Sequence, residues 1–310
     1  MATTLLDDGP FTWRTAAARG VSERELRALC EAGALERPSR GLYVPAHLAD
    51  DPAARAAAIA LVLPRGAALA RESAAWLMGI DVRPPGRWER PPLLECLVPL
   101  GGVRPHRADL SAYISDLPED DVVRIDGVAC TSPTRTALDL ARYRPRYIGL
   151  GAVDALTHAG LVSVHELEEA VRPLRGRRFV RRAREVIELC DPRAESMGES
   201  WGRLRVVEAG LPRPEVQISL RDESGREVFR LDMGIVEEQI GIEYDGVAHH
   251  LRTPAQREHD DARRTAIRDR FGWRVVVTTK EDVLGTRPVL ESTLMEMLGL
   301  SIEFRRRLWI

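Results

Sequence analysis

Residues 230–246, Arg-Leu-Asp-Met-Gly-Ile-Val-Glu-Glu-Gln-Ile-Gly-Ile-Glu-Tyr-Asp-Gly, constrain this chain most, because apolar residues alternate on both sides of a short polar turn. Leu231, Met233 and Ile235 alternate with Arg230, Asp232 and Gly234, and Ile240, Ile242 and Tyr244 with Gly241, Glu243 and Asp245. This period of two predicts a pair of strands. With the turn centred on Glu237-Glu238, Leu231 falls opposite Tyr244, Met233 opposite Ile242 and Ile235 opposite Ile240 on one face. The other face carries Asp232 opposite Glu243, with Cβ atoms about 4.5 to 5.5 Å apart, and Asp245 one repeat further on, about 6.8 Å from Glu243. Opposed carboxylates repel, more strongly as they leave water. A bound cation reverses the sign of that interaction. The hairpin is either a divalent-metal site or the solvated acidic face of an ordinary amphipathic ribbon.

The flanking sequence extends the pattern. Asp245-Gly246 leads to His249 and His250, and Thr253-Pro254 then opens a helix, with threonine as cap and proline at the first helical position. That helix is expected to run to about Phe271 and stop at Gly272, carrying Gln256, Asp260, Arg263 and Arg264 at near-helical spacing. Trp273 to Thr278 reads as a buried strand. Upstream, residues 195–201 open another helix that holds Glu199 and turns Trp201, Leu204 and Val207 inward.

This order of a helix with glutamate, an acidic hairpin, Asp-Gly followed by histidine, a helix and a Gly-Trp strand resembles the Vsr-like (very short patch repair) branch of the PD-(D/E)XK nuclease superfamily, over roughly residues 191 to 290. The resemblance implies a restriction-endonuclease-like α/β domain and metal-dependent cleavage of DNA, whether duplex, damaged or branched. Carried over by position, Asp232 is the motif aspartate, Glu243 the following acid and Glu199 the helix carboxylate. Asp232, Glu243 and Asp245 would be the metal ligands, Glu199 would support their shell, and His249 would orient water or protonate the leaving oxygen. Oxygen ligands alone favour Mg²⁺ or Mn²⁺ over zinc. Two departures stand out. Asp245 takes the place where the superfamily usually has the lysine that positions or activates water, and Ala248 replaces the glutamine expected before His249. The single lysine of the chain, Lys280, follows the Gly-Trp strand and is either a displaced catalytic group or a solvated strand end.

The N-terminus has a different character. Gly20 closes one helix, and Ser22-Glu-Arg-Glu25 forms a capping box that starts a second with Leu26 and Leu29 inward. Residues 34–44 then alternate around a turn at Pro38-Ser39-Arg40-Gly41, as a β-wing would. Residues 1–50 resemble the winged helix-turn-helix of AbiEi-type abortive-infection antitoxins, a geometry that turns Ser22, Arg24 and Arg27 toward a DNA groove and sets Arg37 and Arg40 near phosphates. Winged helices also dock proteins, so that use stays open.

Residues 51–190 read as a mixed α+β middle domain. Helices are expected over 53–63 and 71–79, and strands over 93–99 and 122–130. The stretch from Ser132 to Arg142 is similar to the AbiEi middle region, with Arg135 and Asp139 spaced to pair. No catalytic constellation is visible there, which leaves scaffold or nucleic-acid docking. Arg175 to Arg184 is a basic run, either a solvated linker and helix face or a strip that tracks phosphates.

Composition narrows the alternatives. The formal net charge is −2 although 30% of residues are charged, so any nucleic-acid surface must come from local clustering. Cys30, Cys96, Cys130 and Cys190 are scattered, without metal or disulfide spacing. No apolar run reaches the roughly 20 residues of a membrane span, and the first residues lack a signal pattern, which points to a cytoplasmic protein. The expectation is a DNA-acting α/β protein of three domains, 1–50, 51–190 and 191–310, the last a metal-dependent endonuclease. The alternative is an AbiEi-like repressor or antitoxin with a toxin partner, whose nuclease-like module binds without cutting.

Overall fold

The computed structural model describes residues 9–39, 41–49, 51–82, 94–105, 110–246 and 253–301. Arg40 and His249 lie outside these residues. The protein is a mixed α/β molecule of two compact units, Met1–Leu140 and Ala141–Ile310. Among the described residues no helix is long and apolar enough to cross a membrane.

The first unit begins with β1 (Phe11–Thr12), α1 (Trp13–Ala18), α2 (Glu23–Glu31), β2 (Leu35–Ser39) and β3 (Leu42–Pro45), whose strands form a sheet in the order β1-β3-β2. The capping box is formed, Ser22 N–H donating to Glu25 Oε2 at 2.8 Å and Glu25 N–H to Ser22 Oγ at 3.3 Å. Leu26 is buried with Phe11, Ala16, Val21, Leu35 and Tyr43, and Leu29 packs partly against them. Gly20 and Gly41 adopt positive φ, so the turn between the helices and the turn of the hairpin both use glycine's freedom.

Then follow α3 (Pro52–Ala60), β4 (Ala68–Leu69), α4 (Arg71–Leu77), β5 (Leu94–Pro99), β6 (Leu110–Ser115), β7 (Val122–Ile125), β8 (Val128–Thr131) and α5 (Pro133–Tyr143). Their sheet has the order β6-β5-β4-β8-β7. The strand expected over 122–130 is a hairpin instead. Asp126 and Gly127, with φ of 48° and 82°, turn between Ile125 and Val128, as an Asp-Gly pair does in a tight hairpin. Arg135 pairs with Asp139 at 2.9 Å as its spacing suggests, and with Asp121 at 2.6 Å.

The second unit continues with α6 (Arg146–His158), α7 (Val164–Val171), α8 (Val180–Leu189), α9 (Met197–Glu208), β9 (Glu215–Arg221), β10 (Glu227–Ile235), β11 (Ile240–Asp245), α10 (Pro254–Phe271), β12 (Arg274–Thr279), α11 (Lys280–Leu284) and α12 (Val289–Leu298). The sheet order is β12-β11-β10-β9, with β11 and β12 parallel and the other pairs antiparallel. The predicted hairpin register holds: Met233 faces Ile242 and Ile235 faces Ile240. These four residues pack with Val206 of α9 and Leu290 and Leu294 of α12, each fully buried large aliphatic contributing about 1.5 to 3 kcal/mol.

Leu231 departs from the expected face. It packs instead with Leu220, Ile267 and Trp273, a cluster separate from that of Met233. The side switch falls between the paired positions Leu231/Ile218 and Met233/Val216, where Gln217 sits in the left-handed region at φ 56°. In this register Gln217 lies opposite Asp232, so the irregular backbone and the side switch fall at the same level of the sheet.

Helix α9 is anchored by charge as well as packing. Arg203 pairs with Asp154 of α6, both side chains 1–2% exposed, and Arg205 Nε donates to Glu291 of α12 at 2.8 Å. The Trp201 indole N–H donates to the Tyr147 carbonyl at 3.0 Å. Cys96, Cys130 and Cys190 are buried free thiols, and burial pushes the Cys190 thiol up to about 12.

Candidate functional site

In the second unit Asp232 feels the charges of two further carboxylates, Glu199 and Glu243, each from a different element. Glu199 enters from the first turn of α9, whose cap Ser196 accepts from the Glu199 N–H at 3.2 Å. Asp232 comes from β10 at the side switch, and Glu243 from β11. Tyr244 fixes the approach of α9 to β11, because its ring lies where a side chain on Gly198 would stand. Only glycine at 198 permits that contact.

The Asp232 carboxyl is pushed up to about 6, first by burial and then by the nearby charges of Glu199 and Glu243, against the lowering effects of the Tyr244 N–H and Arg263. The ladder between β10 and β11 ends at Met233 and Ile242, and Asp232 Oδ2 accepts the Tyr244 N–H at 2.7 Å. So Asp232 and Glu243 are neighbours, but Asp232 turns to the backbone of the opposite strand rather than standing across from Glu243.

Each acid has a partner within the chain. Glu199 Oε2 accepts from the Glu195 N–H and from Gln217 Nε2, both at 3.1 Å. Glu243 is paired with Arg263 of α10. The Arg263 guanidinium also donates to the Arg230 carbonyl at 2.9 Å and lies 5.9 Å from the centre of the Phe229 ring. Asp245 is half-buried beside Thr279 in the parallel ladder, and it helps to raise the Tyr244 phenol above its ordinary value, after burial and Glu281. Among the described residues no group of three or more histidine, cysteine, aspartate or glutamate side chains is arranged to hold a metal ion.

Arg263 and Gln217 are the residues whose roles were missed. The spacing of Arg263 on its helix was visible, but its partner on β11 is set by tertiary packing. Gln217 gave no signal, since its role follows from a left-handed backbone that no local pattern demands.

In the first unit, Arg24 and Arg27 are both exposed and three residues apart, hence on one face of α2, and Arg37 is exposed on β2. The Ser22 hydroxyl is committed to the capping box, donating to Glu25 Oε2 at 2.7 Å.

Comparison with known proteins bears on these surfaces. The chain is 34% identical over 160 residues to two uncharacterized proteins, from two strains of Mycobacterium tuberculosis, covering 52% of this chain and 58% of each relative. It therefore spans under two thirds of the length of these curated relatives. Residues 3–46 match the family described as a transcriptional regulator, AbiEi antitoxin, and residues 66–189 match the AbiEi antitoxin C-terminal domain. In these two segments the chain is similar to AbiEi antitoxins.

Proposed function

We propose that the chain is a DNA-binding regulator of the AbiEi antitoxin kind, with a winged helix over 1–50, a middle domain over 51–190, and a nuclease-like module over 191–310 that binds rather than cleaves. The observation that carries this reading is the match of residues 3–46 to an AbiEi transcriptional regulator on a segment whose capped helix α2 presents Arg24 and Arg27 to solvent. A toxin protein is the partner that the AbiEi likeness suggests, and a cytoplasmic location suits both ligands. Arg263 favours binding over cleavage, because its guanidinium already neutralises Glu243. The test is a mobility-shift titration on duplex DNA from upstream of the chain's own gene. Replacing Arg24 and Arg27 together by alanine is expected to weaken binding at least about tenfold, on the scale of lost phosphate contacts. Equal affinity of wild type and variant would reassign this surface to protein docking.

A metal-dependent DNA endonuclease is the second reading. It is favoured by the charges of Glu199 and Glu243 both acting on Asp232, and by the succession of α9, the hairpin β10-β11, α10 and β12, the order on which the likeness to the PD-(D/E)XK superfamily rests. In that reading Asp232, Glu243 and Asp245 would hold Mg²⁺ or Mn²⁺ once Arg263 releases Glu243, with Glu199 and His249 in support. The metal would lower the pKa of its bound water and neutralise phosphate charge. Nicking of DNA in Mn²⁺ that disappears in Glu243→Gln would establish it.

A further inference from the structure

Between residues 172 and 184 the chain carries seven arginines and no acidic residue, within a protein whose net charge is −2. In the second unit this segment is held in place. The Arg142 guanidinium donates twice to the Arg178 carbonyl, at 3.1 and 3.2 Å, and Arg182 donates to the Arg144 carbonyl at 3.0 Å. Phe179 stands between them in the left-handed region at φ 60°, its ring meeting Tyr143 edge-on. A non-glycine residue keeps that backbone only where its surroundings over-determine it. The Arg178 and Arg182 guanidinia sit 4.6 and 4.8 Å from the centre of the Phe179 ring.

The charge of this surface is largely unspent. Arg172 pairs with Glu169 and Arg181 with Glu185, and Arg182 is turned to carbonyls. Arg175, Arg177, Arg178 and Arg184 are exposed, and among the described residues no acidic side chain forms an ion pair with them. The first turn of α8 contains no acid either. Phe179, at 37%, is the one exposed large apolar side chain in the described segment 172–184. A protein partner would need an apolar centre to its contact surface. A phosphate backbone needs none, and guanidinium forks match its oxygens.

We propose that the arginine surface of residues 172–184 is a second DNA-contacting surface, which grips the phosphate backbone of duplex DNA independently of the winged helix. It rests on DNA being the ligand of this chain, as in the proposed function, but not on Arg24 and Arg27. The full chain is titrated with a labelled duplex of arbitrary sequence over a range of KCl concentrations. Three proteins are compared with wild type: Arg175→Ala/Arg177→Ala/Arg184→Ala, the same positions changed to Lys, and Arg24→Ala/Arg27→Ala.

The alanine triple is expected to flatten the plot of log K against log salt by up to about 2.7, at about 0.9 per phosphate contact. The lysine triple should keep most of the slope. Loss of slope in the alanine triple alone, with none in Arg24→Ala/Arg27→Ala, would support this surface and defeat the winged-helix reading. An unchanged slope in the alanine triple overturns the proposal, as does wild type that fails to bind the duplex at low salt. Competition by poly-glutamate as effective as DNA at equal charge also overturns it, in favour of an acidic protein partner.

Discussion

Replacing Asp232 by asparagine removes the charge at the centre of the acidic cluster and keeps its shape. In the folded protein this carboxyl is pushed from an ordinary 3.8 up to about 6, chiefly by burial and further by Glu199 and Glu243. A folded-state value above the unfolded one means that the folded protein binds the proton more tightly. The resulting contribution to stability is complete below about pH 4 and is lost as pH rises through about 6. At about 1.4 kcal/mol per pH unit between the two values, the ionised Asp232 costs the fold about 3 kcal/mol above pH 7, and its partial exposure to solvent reduces this to about 2 kcal/mol. Asparagine retains an oxygen to accept the Tyr244 N–H, which now lies 2.7 Å from Asp232 Oδ2. Asp232→Asn is therefore expected to be more stable than wild type at pH 8 by about 2 kcal/mol, with the gap closing toward pH 4. Urea unfolding followed by tryptophan fluorescence across that range measures it. Equal or lower stability of the variant at pH 8, or a gap that does not change with pH, refutes the burial argument.

Two further outcomes follow from the same site. Gly198→Ala drives a methyl group into the Tyr244 ring and should cost about 1 to 3 kcal/mol, as overpacking does; a wild-type urea midpoint would mean that α9 and β11 are not locked together. Arg263→Met removes a charge that lowers the Asp232 pKa, so Asp232 should titrate at higher pH, as followed by carboxyl NMR. Titration at or below the wild-type value would place Arg263 outside the electrostatics of the cluster.

The parts of this protein that were legible in the sequence are those encoded locally. The capping box at Ser22, the glycine after α1, and the register of Met233 with Ile242 all follow from residues a few positions apart. Asp126-Gly127 carries the local signal of a hairpin turn, but the apolar residues on both sides read as one continuous strand over 122–130. The side switch at Asp232 was not legible, because Leu231 and Met233 keep a strict alternation in sequence although they pack in different clusters. Nor was the pairing of Arg263 with Glu243, since spacing on a helix gives a face but not what packs against it. The acidic residues are visible in the pattern, whereas the pairing of Glu243 with Arg263 is a tertiary event. That difference matters for function, because unpaired opposed carboxylates call for a cation and paired ones do not.

The central claim, that the chain holds DNA and leaves it intact, is tested most directly in one reaction. Full-length protein is mixed with end-labelled duplex from upstream of its own gene, with an unrelated duplex as control, at about 150 mM salt and in Mn²⁺, and both the shifted complex and the strand lengths are read. The expected result is a saturable complex at least about 10³-fold tighter on the upstream duplex, with every strand uncut. Mn²⁺-dependent strand cleavage that Glu243→Gln abolishes would contradict it and make the enzyme reading the right one.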